Sequence, residues 1–189
     1  MKNRAEMSVG KLKPNEILER PWQHISVDFI TKLLVSKGYN SILVVYDKFS
    51  KMLHSIAMTE KIMVERLARL FKDNVWKLHR LPESIISDRE PQFVAGLIKE
   101  LNKMLGIETK LSTAYHPQTN GQTERTNQKL EQYLRMYIDH RQNNWSEWLA
   151  TAEFAFNNKV HTATKSSPFM VNYGREPRMG FDIRKRERM

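Results

Sequence analysis

Three short apolar stretches follow one another between residues 22 and 58, and their succession constrains the fold more than any other feature. Side chains in the first stretch alternate between two faces with the period of a β-strand, and Asp28 lies in its middle. The two faces are Ile25, Val27 and Phe29 on one side, and Ser26, Asp28 and Ile30 on the other. Ser41 to Tyr46 is a continuous apolar run typical of a strand buried on both faces, and Met52 to Met58 is a third strand. Three strands in succession predict an antiparallel meander.

Helical and strand patterns alternate after the third strand. Residues 59–79 have the apolar spacing of a helix, and Pro82 closes that unit. The SIIS stretch is a short buried strand that ends at Asp88. Residues 93–105 form a helix, which Gly106 ends.

The remaining elements complete this pattern. Residues 107–111 are predicted to form a fifth strand, and helices follow at 145–157 and 167–173. Ser167 and Pro168 open the last of these helices. The residues expected to point inward are Val64, Leu67, Leu70, Phe71, Val75 and Leu78 in the first helix, and Trp148, Leu149, Ala152 and Phe156 in the helix at 145–157. The alternation of the later elements favours an α/β fold.

A polar, turn-forming loop runs directly into a long amphipathic helix within residues 111–135. Pro117 and Gly121 interrupt the backbone of the loop, whereas helix-forming residues dominate from Gln122 onward. The buried stripe of the helix is predicted to be Leu130, Leu134 and Ile138. Glu124 therefore lies in the first turns, where amide and hydroxyl donors beside a carboxylate suit a site that handles phosphate and metal.

The word HPQTNGQTER at residues 116–125 resembles the catalytic loop and helix of the integrase core of gypsy-type LTR retrotransposons. In that family a similar word leads to the last acid of an Asp, Asp, Glu triad. Further words of the family occur in the family's order, and they are SVDFIT, SILVVYDKFSKMLH, LHRLPESIISDREPQF, NNWSEWLATAEFAFNN and SSPFMVNYGREP. The resemblance covers residues 22–177.

The resemblance implies a ribonuclease H-like fold with a mixed five-stranded sheet flanked by helices. It also implies that Asp28, Asp88 and Glu124 are the catalytic residues. These acids can converge because strand ends in α/β sheets open onto shared crevices. Thirty-five residues separate Asp88 from Glu124, as in many retroviral-type integrases. Spacing alone does not select three acids among 21, and it is the surrounding words that select them.

Carboxylates gathered in one crevice repel each other by about 4 kcal/mol per pair at about 4 Å and an effective dielectric constant of about 20. The cluster therefore requires cations, and oxygen ligands favour Mg²⁺ or Mn²⁺. The resemblance implies two such ions, with Asp28 bridging them and Asp88 and Glu124 each holding one. The implied enzyme is a metal-dependent polynucleotidyl transferase and endonuclease. It would process DNA 3′ ends and then join them to target DNA.

Polar residues around the last acid can donate to a nucleic acid backbone or stack on a base. Those expected to bind nucleic acid are Tyr115, His116, Gln118, Asn120, Gln122 and Arg125. Asp47, which lies in the connection after the second strand, is interpreted as a turn or structural acid. The remaining histidines lack metal-ligand spacing and are expected to be structural, and they are His24, His54, His79, His140 and His161.

The formal net charge of +10 favours a polyanionic partner, with a merely basic soluble protein as the alternative. The resemblance specifies DNA, as element ends and as target, bound by a homo-oligomer. The sequence contains no cysteine and no apolar run long enough to span a bilayer. We therefore expect an intracellular, nuclear protein without disulfides or a membrane partner. The expected organisation is an N-terminal arm or linker at 1–20, the catalytic core at 21–174 and a basic C-terminal tail at 175–189.

The chain departs from the words of the family at three positions. Arg80 and Glu90 stand where the family usually has glycine, and Asn120 replaces a common aspartate. Glycine often marks a positive φ or a close approach of the backbone to a ligand, so reduced activity is one expectation. Two other functions therefore stay open. One is a catalytically silent nucleic-acid-binding remnant of a retrotransposon integrase, and the other is a ribonuclease H-like nuclease, which would usually require a fourth carboxylate.

Overall fold

The computed structural model of the protein describes residues 18–87, 91–107, 127–128, 130–132, 134–135 and 143–178. The strands are β1 (His24–Ile30), β2 (Ser41–Asp47), β3 (Leu53–Met58) and β4 (Ser84–Ile86). The helices are α1 (Val64–Phe71), α2 (Lys77–His79), α3 (Pro91–Leu105), α4 (helical residues 127–128, 130–132 and 134–135), α5 (Trp145–Asn158) and α6 (Pro168–Tyr173). A π-helical turn (Lys72–Trp76) joins α1 to α2.

The described strands form one mixed sheet in the order β3-β2-β1-β4. The predicted meander is confirmed, because β1 pairs antiparallel with β2 and β2 antiparallel with β3. Strand β4 joins the other side of β1 in parallel, with Ser26 opposite Ile86. The described sheet thus has four strands and not the expected five. The predicted fifth strand, 107–111, lies outside the described residues except for Ile107, which is not in a strand.

Helices cover both faces of the sheet. The face that carries Ile25, Val27 and Phe29 packs in one apolar cluster with buried residues of α1 and α3. The opposite face, which carries Ile30, packs with Leu130 and Leu134 of α4 and with α5. The two predicted faces of β1 are therefore confirmed, as is the burial of β2 on both faces. Within the described part of the chain, every helix is too short or too polar to cross a membrane.

The first long helix begins at Val64, later than predicted. The prediction of its inward-facing residues is wrong at one position. Leu78 was expected in the core but is 56% exposed. The π-helical turn at Lys72–Trp76 explains this error, because its wider turn rotates the following residues out of phase with a regular 3.6-residue period. In α5, the prediction that Trp148 points inward is also wrong, because 37% of its surface is exposed. The buried stripe of α5 runs through Trp145, Leu149, Ala152 and Phe156.

The ends of two helices follow the predicted signals. Gly106 has φ +64° directly after α3, as expected of a glycine that ends a helix. Ser167 caps α6 by accepting a hydrogen bond from the Met170 N–H at 3.0 Å, and Pro168 is the first helical residue. The C-terminal end of α3 and the N-terminal end of α6 can therefore be predicted from the sequence.

Side chains of α5 close the outer edge of β3. The Asn157 amide pairs with both backbone groups of Leu53, accepting from its N–H at 2.9 Å and donating to its carbonyl at 2.8 Å. Glu153 accepts the Ser55 N–H at 2.7 Å. Polar backbone groups of this edge strand are thus paired with a helix, which removes a template for pairing with other chains.

Asp47 is a fully buried carboxylate at the end of β2, with 0% exposure. It accepts hydrogen bonds from the Trp22 N–H at 2.9 Å, the Phe49 N–H at 3.3 Å and the Ser50 N–H at 2.8 Å. The Ser50 hydroxyl donates a further bond to it. The structure confirms the interpretation of Asp47 as a structural acid, since its oxygens hold the turn after β2 against the start of β1.

Arg80 directly follows α2 in a backbone conformation with φ 72° and ψ −171°. This region is occupied almost only by glycine, because an L side chain clashes with the backbone there. The structure thus gives a physical reason for the glycine that the family usually has at this position. The arginine is strained at a point where a glycine would be relaxed.

We expect Arg80→Gly to stabilise the protein by about 1 kcal/mol. The strain relieved is on the order of 1–3 kcal/mol, and the extra freedom of glycine in the unfolded chain offsets about 0.5–1 kcal/mol. Thermal unfolding should show a melting temperature about 2–4 °C higher. Arg80→Ala separates the loss of charge from the relief of strain and should give no gain, while Lys77→Gly, at a regular helical position, should lower the melting temperature. Equal effects of Arg80→Gly and Arg80→Ala would contradict this account.

Candidate active site

Asp28 lies in the middle of β1, opposite Val44 of β2, and only 6% of its surface is exposed. One carboxylate oxygen, Oδ1, accepts the N–H of Phe29 at 2.9 Å. The other, Oδ2, accepts a hydrogen bond from the Nδ2 of Asn127 at 2.5 Å. The acid is therefore held in one orientation, although each oxygen retains a lone pair for a further partner.

Asn127 belongs to α4, which packs against the sheet through Leu130 and Leu134. The side chain of Asn127 is buried, and its own carbonyl oxygen, Oδ1, has no hydrogen-bond partner among the described residues. Buried polar atoms normally have a partner, so this oxygen beside Asp28 is available to a donor or a cation. The motifs of the sequence did not single out Asn127, but its position three residues after Glu124 could have done so, since residues i and i+3 share a helix face.

The end of β4 lies beside the first half of β1. Ser26 is opposite Ile86 in a parallel pair, and each lies two residues before an acid of the expected triad, Asp28 and Asp88 respectively. The hydroxyl of Ser87, one residue before Asp88, is buried without a hydrogen-bond partner among the described residues. Two unpaired buried oxygens thus lie on the segments that lead to, or contact, the expected site.

The other expected site residues lie outside the described residues. These are the acids Asp88 and Glu124, and the nucleic-acid-binding set Tyr115, His116, Gln118, Asn120, Gln122 and Arg125, together with Glu90. Of the expected triad, the structure therefore describes Asp28 alone. The part of the chain that it describes contains no cluster of three or more His, Asp or Glu side chains that could hold a metal. Convergence of the three acids stays a prediction.

The donor set around Asp28 fits a hard divalent cation. Its carboxylate oxygens and the unpartnered Oδ1 of Asn127 are all oxygen donors in a buried position. Mg²⁺ and Mn²⁺ are bound by carboxylates, carbonyl oxygens and water, and they do not require nitrogen or sulfur ligands. Asp28 offers carboxylate oxygens of this kind, and a complete site would require further carboxylates.

A family profile described as the TnsB C-terminal domain matches residues 6–140. The chain belongs to this family. It is also homologous to the Transposon Tf2-3 polyprotein of Schizosaccharomyces pombe (strain 972 / ATCC 24843), with 38% identity over 176 residues. That alignment covers 93% of this chain and 13% of the polyprotein, so the chain spans about an eighth of this relative.

Solved integrase structures share the fold. The HTLV-2 integrase catalytic core domain in complex with magnesium, in its trimeric form, aligns with a TM-score of 0.62 and 19% identity over 82% of this chain and 98% of that chain. The simian T-cell lymphotropic virus intasome in complex with the PP2A regulatory subunit B56 gamma aligns with a TM-score of 0.64 and 19% identity, covering 88% of this chain and 60% of that chain. The ribonuclease H-like fold is thereby confirmed, and the chain is an integrase-like core homologous to part of a retrotransposon polyprotein.

Two of the histidines expected to be structural form a cluster with Trp22 and Glu153 in this integrase-like core. The ring of His79 stacks on Trp22 with centroids 3.7 Å apart and an interplanar angle of 6°. The Nε2 atoms of His54 and His79 are 2.7 Å apart, and the Nδ1 of His54 lies 2.8 Å from a carboxylate oxygen of Glu153. The cluster joins the start of β1 to β3, α2 and α5, as a structural role requires.

The other histidines differ in their surroundings. The Nδ1 of His24 lies 2.6 Å from the hydroxyl of Ser84. The Nδ1 of His161 accepts the N–H of Ala163 at 3.2 Å. His140 lies outside the described residues.

Protonation of His79 is disfavoured in the folded protein. Burial, and then the neighbouring charge of His54, lower the pKa of His79 from its ordinary 6.5 to about 3. The unfolded chain therefore binds a proton between pH 6.5 and about 3 that the folded chain does not bind. The free energy of unfolding should fall as the pH drops through this window.

We expect His79→Gln to make the stability less dependent on pH between about 6.5 and 3. Glutamine retains a polar partner for His54 but does not titrate, so the proton-linked loss of stability disappears. Because His79 is partly exposed, the loss in the parent is smaller than that of a fully buried group. Denaturant titrations at several pH values measure it, with His161→Gln as the matched control. If the free energy of unfolding of the parent and of His79→Gln varied in parallel with pH, His79 would be protonated equally in the folded and unfolded states.

Proposed function

We propose that this chain is an integrase catalytic core that processes DNA 3′ ends and joins them to target DNA by phosphodiester transfer. The observation that supports this proposal best is the hydrogen bond from Asn127 of α4 to Asp28 of β1. It brings the helix that follows the HPQTNGQTER word into contact with the first acid of the expected triad. Asn127 lies three positions after Glu124 in the sequence, so its contact with Asp28 supports the proposal that the first and last acids are neighbours.

The register of the sheet supports a place for the second acid. Ser26 and Ile86 are opposite each other in parallel strands. If the two strands kept this register for two more residues, Asp88 would lie beside Asp28. On a helix, Glu124 would share a face with Asn127, because three residues separate them. We propose on these grounds that Asp28, Asp88 and Glu124 form one carboxylate cluster.

Such a cluster would bind two Mg²⁺ or Mn²⁺ ions, which, when bound, activate the attacking oxygen and stabilise the leaving oxygen of a phosphodiester. Asp28 is oriented for this role by the Phe29 N–H and by Asn127. The burial of Asp28 lowers the local dielectric constant and strengthens its attraction for a cation. Asn127 is a positioning residue in this proposal, since it acts through the carboxylate of Asp28.

The wider setting is also part of the proposal. Tyr115, His116, Gln118, Asn120, Gln122 and Arg125 would bind the DNA backbone next to the cluster. The partners would be the ends of the element and the target DNA, bound by a homo-oligomer in the nucleus. The net charge of +10 supports a polyanionic partner.

We expect Asp28→Asn, Asp88→Asn and Glu124→Gln each to lower strand joining by about 100-fold or more. The reason is that a metal ligand supplies several kcal/mol of transition-state stabilisation, and about 1.4 kcal/mol corresponds to a factor of ten. A disintegration assay with Mg²⁺ or Mn²⁺ measures the joining of DNA strands. Asp73→Asn, which changes an exposed carboxylate in the π-helical turn, is the matched control and should behave as the parent.

Thermal melts separate a metal ligand from a structural acid. Mg²⁺ should raise the melting temperature of the parent and raise that of Asp88→Asn much less, since binding stabilises the folded state only where ligands remain. Without metal, Asp88→Asn should be at least as stable as the parent because it relieves repulsion between carboxylates. If Asp88→Asn is less stable and responds unchanged to Mg²⁺, the cluster is disproved. If the parent binds DNA but joins none with either ion, it is a catalytically silent remnant, the alternative that Arg80 and Glu90 favour.

DNA affinity should be mostly independent of sequence and should fall steeply with salt. Contacts between phosphates and Lys or Arg side chains release counterions, which gives a linear dependence of log affinity on log salt concentration. Titrations of several unrelated duplexes at increasing salt concentrations measure this slope. A flat salt response, or a strong preference for one duplex, would contradict the proposed mode of binding.

A further inference from the structure

A groove of about 360 Å³ lies where β1 begins, at the end of the strand away from the candidate active site. Trp22 and Asp28 are six residues apart in sequence, which would be about 20 Å if all six were fully extended, and Trp22 itself precedes the strand. The groove lies between the residues before β1, the connection from α2 to β4, and the end of α6. The lining residues that matter for binding are Arg20, Trp22, Leu78, Arg80, Glu83 and Tyr173.

The floor of the groove is rigid. Trp22 has φ 64°, and the buried Asp47 carboxylate holds its N–H at 2.9 Å. Its indole Nε1 donates to the Oδ1 of Asn172 at 3.0 Å, and its ring stacks on His79. A ligand would therefore meet a preformed surface, which lowers the entropy cost of binding.

The groove has a surplus of positive charge. Among the described residues, Glu83 is the only acid that lines it, and Glu83 is already paired with Arg20 and with the amide of Gln23. The side chain of Arg80 is exposed and makes no ion pair or hydrogen bond with the described residues. The guanidinium of Arg80 is therefore left for an external anion.

The positive charge continues beyond the groove. Arg175 and Arg178 follow Tyr173 within five residues, and both are exposed and without an ion pair among the described residues. Glu176, the acid between them, accepts a hydrogen bond from the Ser167 hydroxyl at 2.8 Å. The charge pattern thus complements a polyanion and not an acidic side chain alone.

Tyr173 offers an aromatic surface beside these cations. Its side chain is 51% exposed, and its ring stacks on Phe169 with centroids 6.2 Å apart. Leu78, which is 56% exposed, adds an apolar wall. Exposed aromatic rings next to arginines are the combination that binds unpaired bases and the backbone of a single strand.

The strain at Arg80 points to the same place. A non-glycine residue at φ 72° and ψ −171° costs on the order of 1–3 kcal/mol, and such conformations persist mainly at functional sites. A glycine would relieve the strain but would remove the only unpaired guanidinium that lines the groove among the described residues.

We infer that this groove is a second nucleic-acid site, which binds a single-stranded DNA segment with a phosphate at Arg80 and an unpaired base on Tyr173. The inference rests on the proposed function only in taking DNA as the partner. An acidic protein segment is the competing occupant, but it would use the charge of Arg80 without the exposed ring of Tyr173. The two occupants therefore predict different effects of substitution.

Binding of a labelled short oligothymidylate, followed by fluorescence anisotropy in EDTA over a range of salt concentrations, tests the inference. Tyr173→Ala should weaken binding by about 5-fold or more at every salt concentration, whereas Tyr173→Phe, which retains the ring, should bind as the parent. Arg80→Gly should weaken binding and lower the slope of log affinity against log salt by about 0.7. Arg69→Ala, which removes an exposed arginine of α1 outside the groove, is the matched control and should leave the slope unchanged.

Each outcome of the binding assay either supports or overturns the inference. The inference is overturned if Arg69→Ala equals Arg80→Gly, if Tyr173→Ala has no effect, or if Tyr173→Phe is as weak as Tyr173→Ala. Competition by polyglutamate with the same dependence on Arg80 would assign the groove to an acidic protein segment instead. Because Arg80→Gly is expected to be more stable than the parent, its melting temperature, measured beside the binding assay, separates loss of binding from unfolding. The assay contains no divalent ion and no catalytic step, so its failure leaves the proposal for Asp28 untouched, and the reverse also holds.

Discussion

The hydrogen bonds to the buried carboxylate of Asp47 are the interactions on which the rest of the described structure depends. It is fully enclosed, and it accepts three backbone N–H groups and the hydroxyl of Ser50. Each of these donors would cost about 1–3 kcal/mol if it were buried without a partner. The bond to the Trp22 N–H is the longest-range of them, because it joins Trp22, two residues before β1, to Asp47 at the end of β2. The carboxylate therefore sets where the central strand begins.

Two candidate sites of different kinds lie along β1. At its start, Trp22 is held by Asp47, His79 and Asn172, and it forms the floor of the positively charged groove. In its middle, Asp28 is enclosed by β2 and receives Asn127 from α4. A rigid strand that is buried on both faces keeps the two sites at a constant separation. If both proposals hold, a DNA strand that left one site could be held at the other without any change in the fold.

Local patterns failed where packing overrode a regular period. Leu78 has the spacing of a core residue, but the π-helical turn before it changes the rotation of the helix and exposes it. Trp148 lies beside the buried stripe of α5, so its size made it resemble a core residue. Asn127 was missed for the opposite reason. A polar residue within an amphipathic helix is usually solvated, and only the approach of α4 to β1 makes it the partner of Asp28.

The amino-acid pattern predicted the order of the described strands and helices, the two faces of β1, the end of α3 at Gly106 and the start of α6 at Ser167, whereas the resemblance to the family marked residue 80 as a usual glycine position. These features depend on short-range periodicity and on backbone preferences, which a linear pattern records. Packing in three dimensions fixed the parallel pairing of β4 with β1, the closure of the β3 edge by α5, and the cluster of Trp22, His54 and His79. Those contacts join residues far apart in the chain, and their energies depend on distances and burial that exist only once the elements have packed.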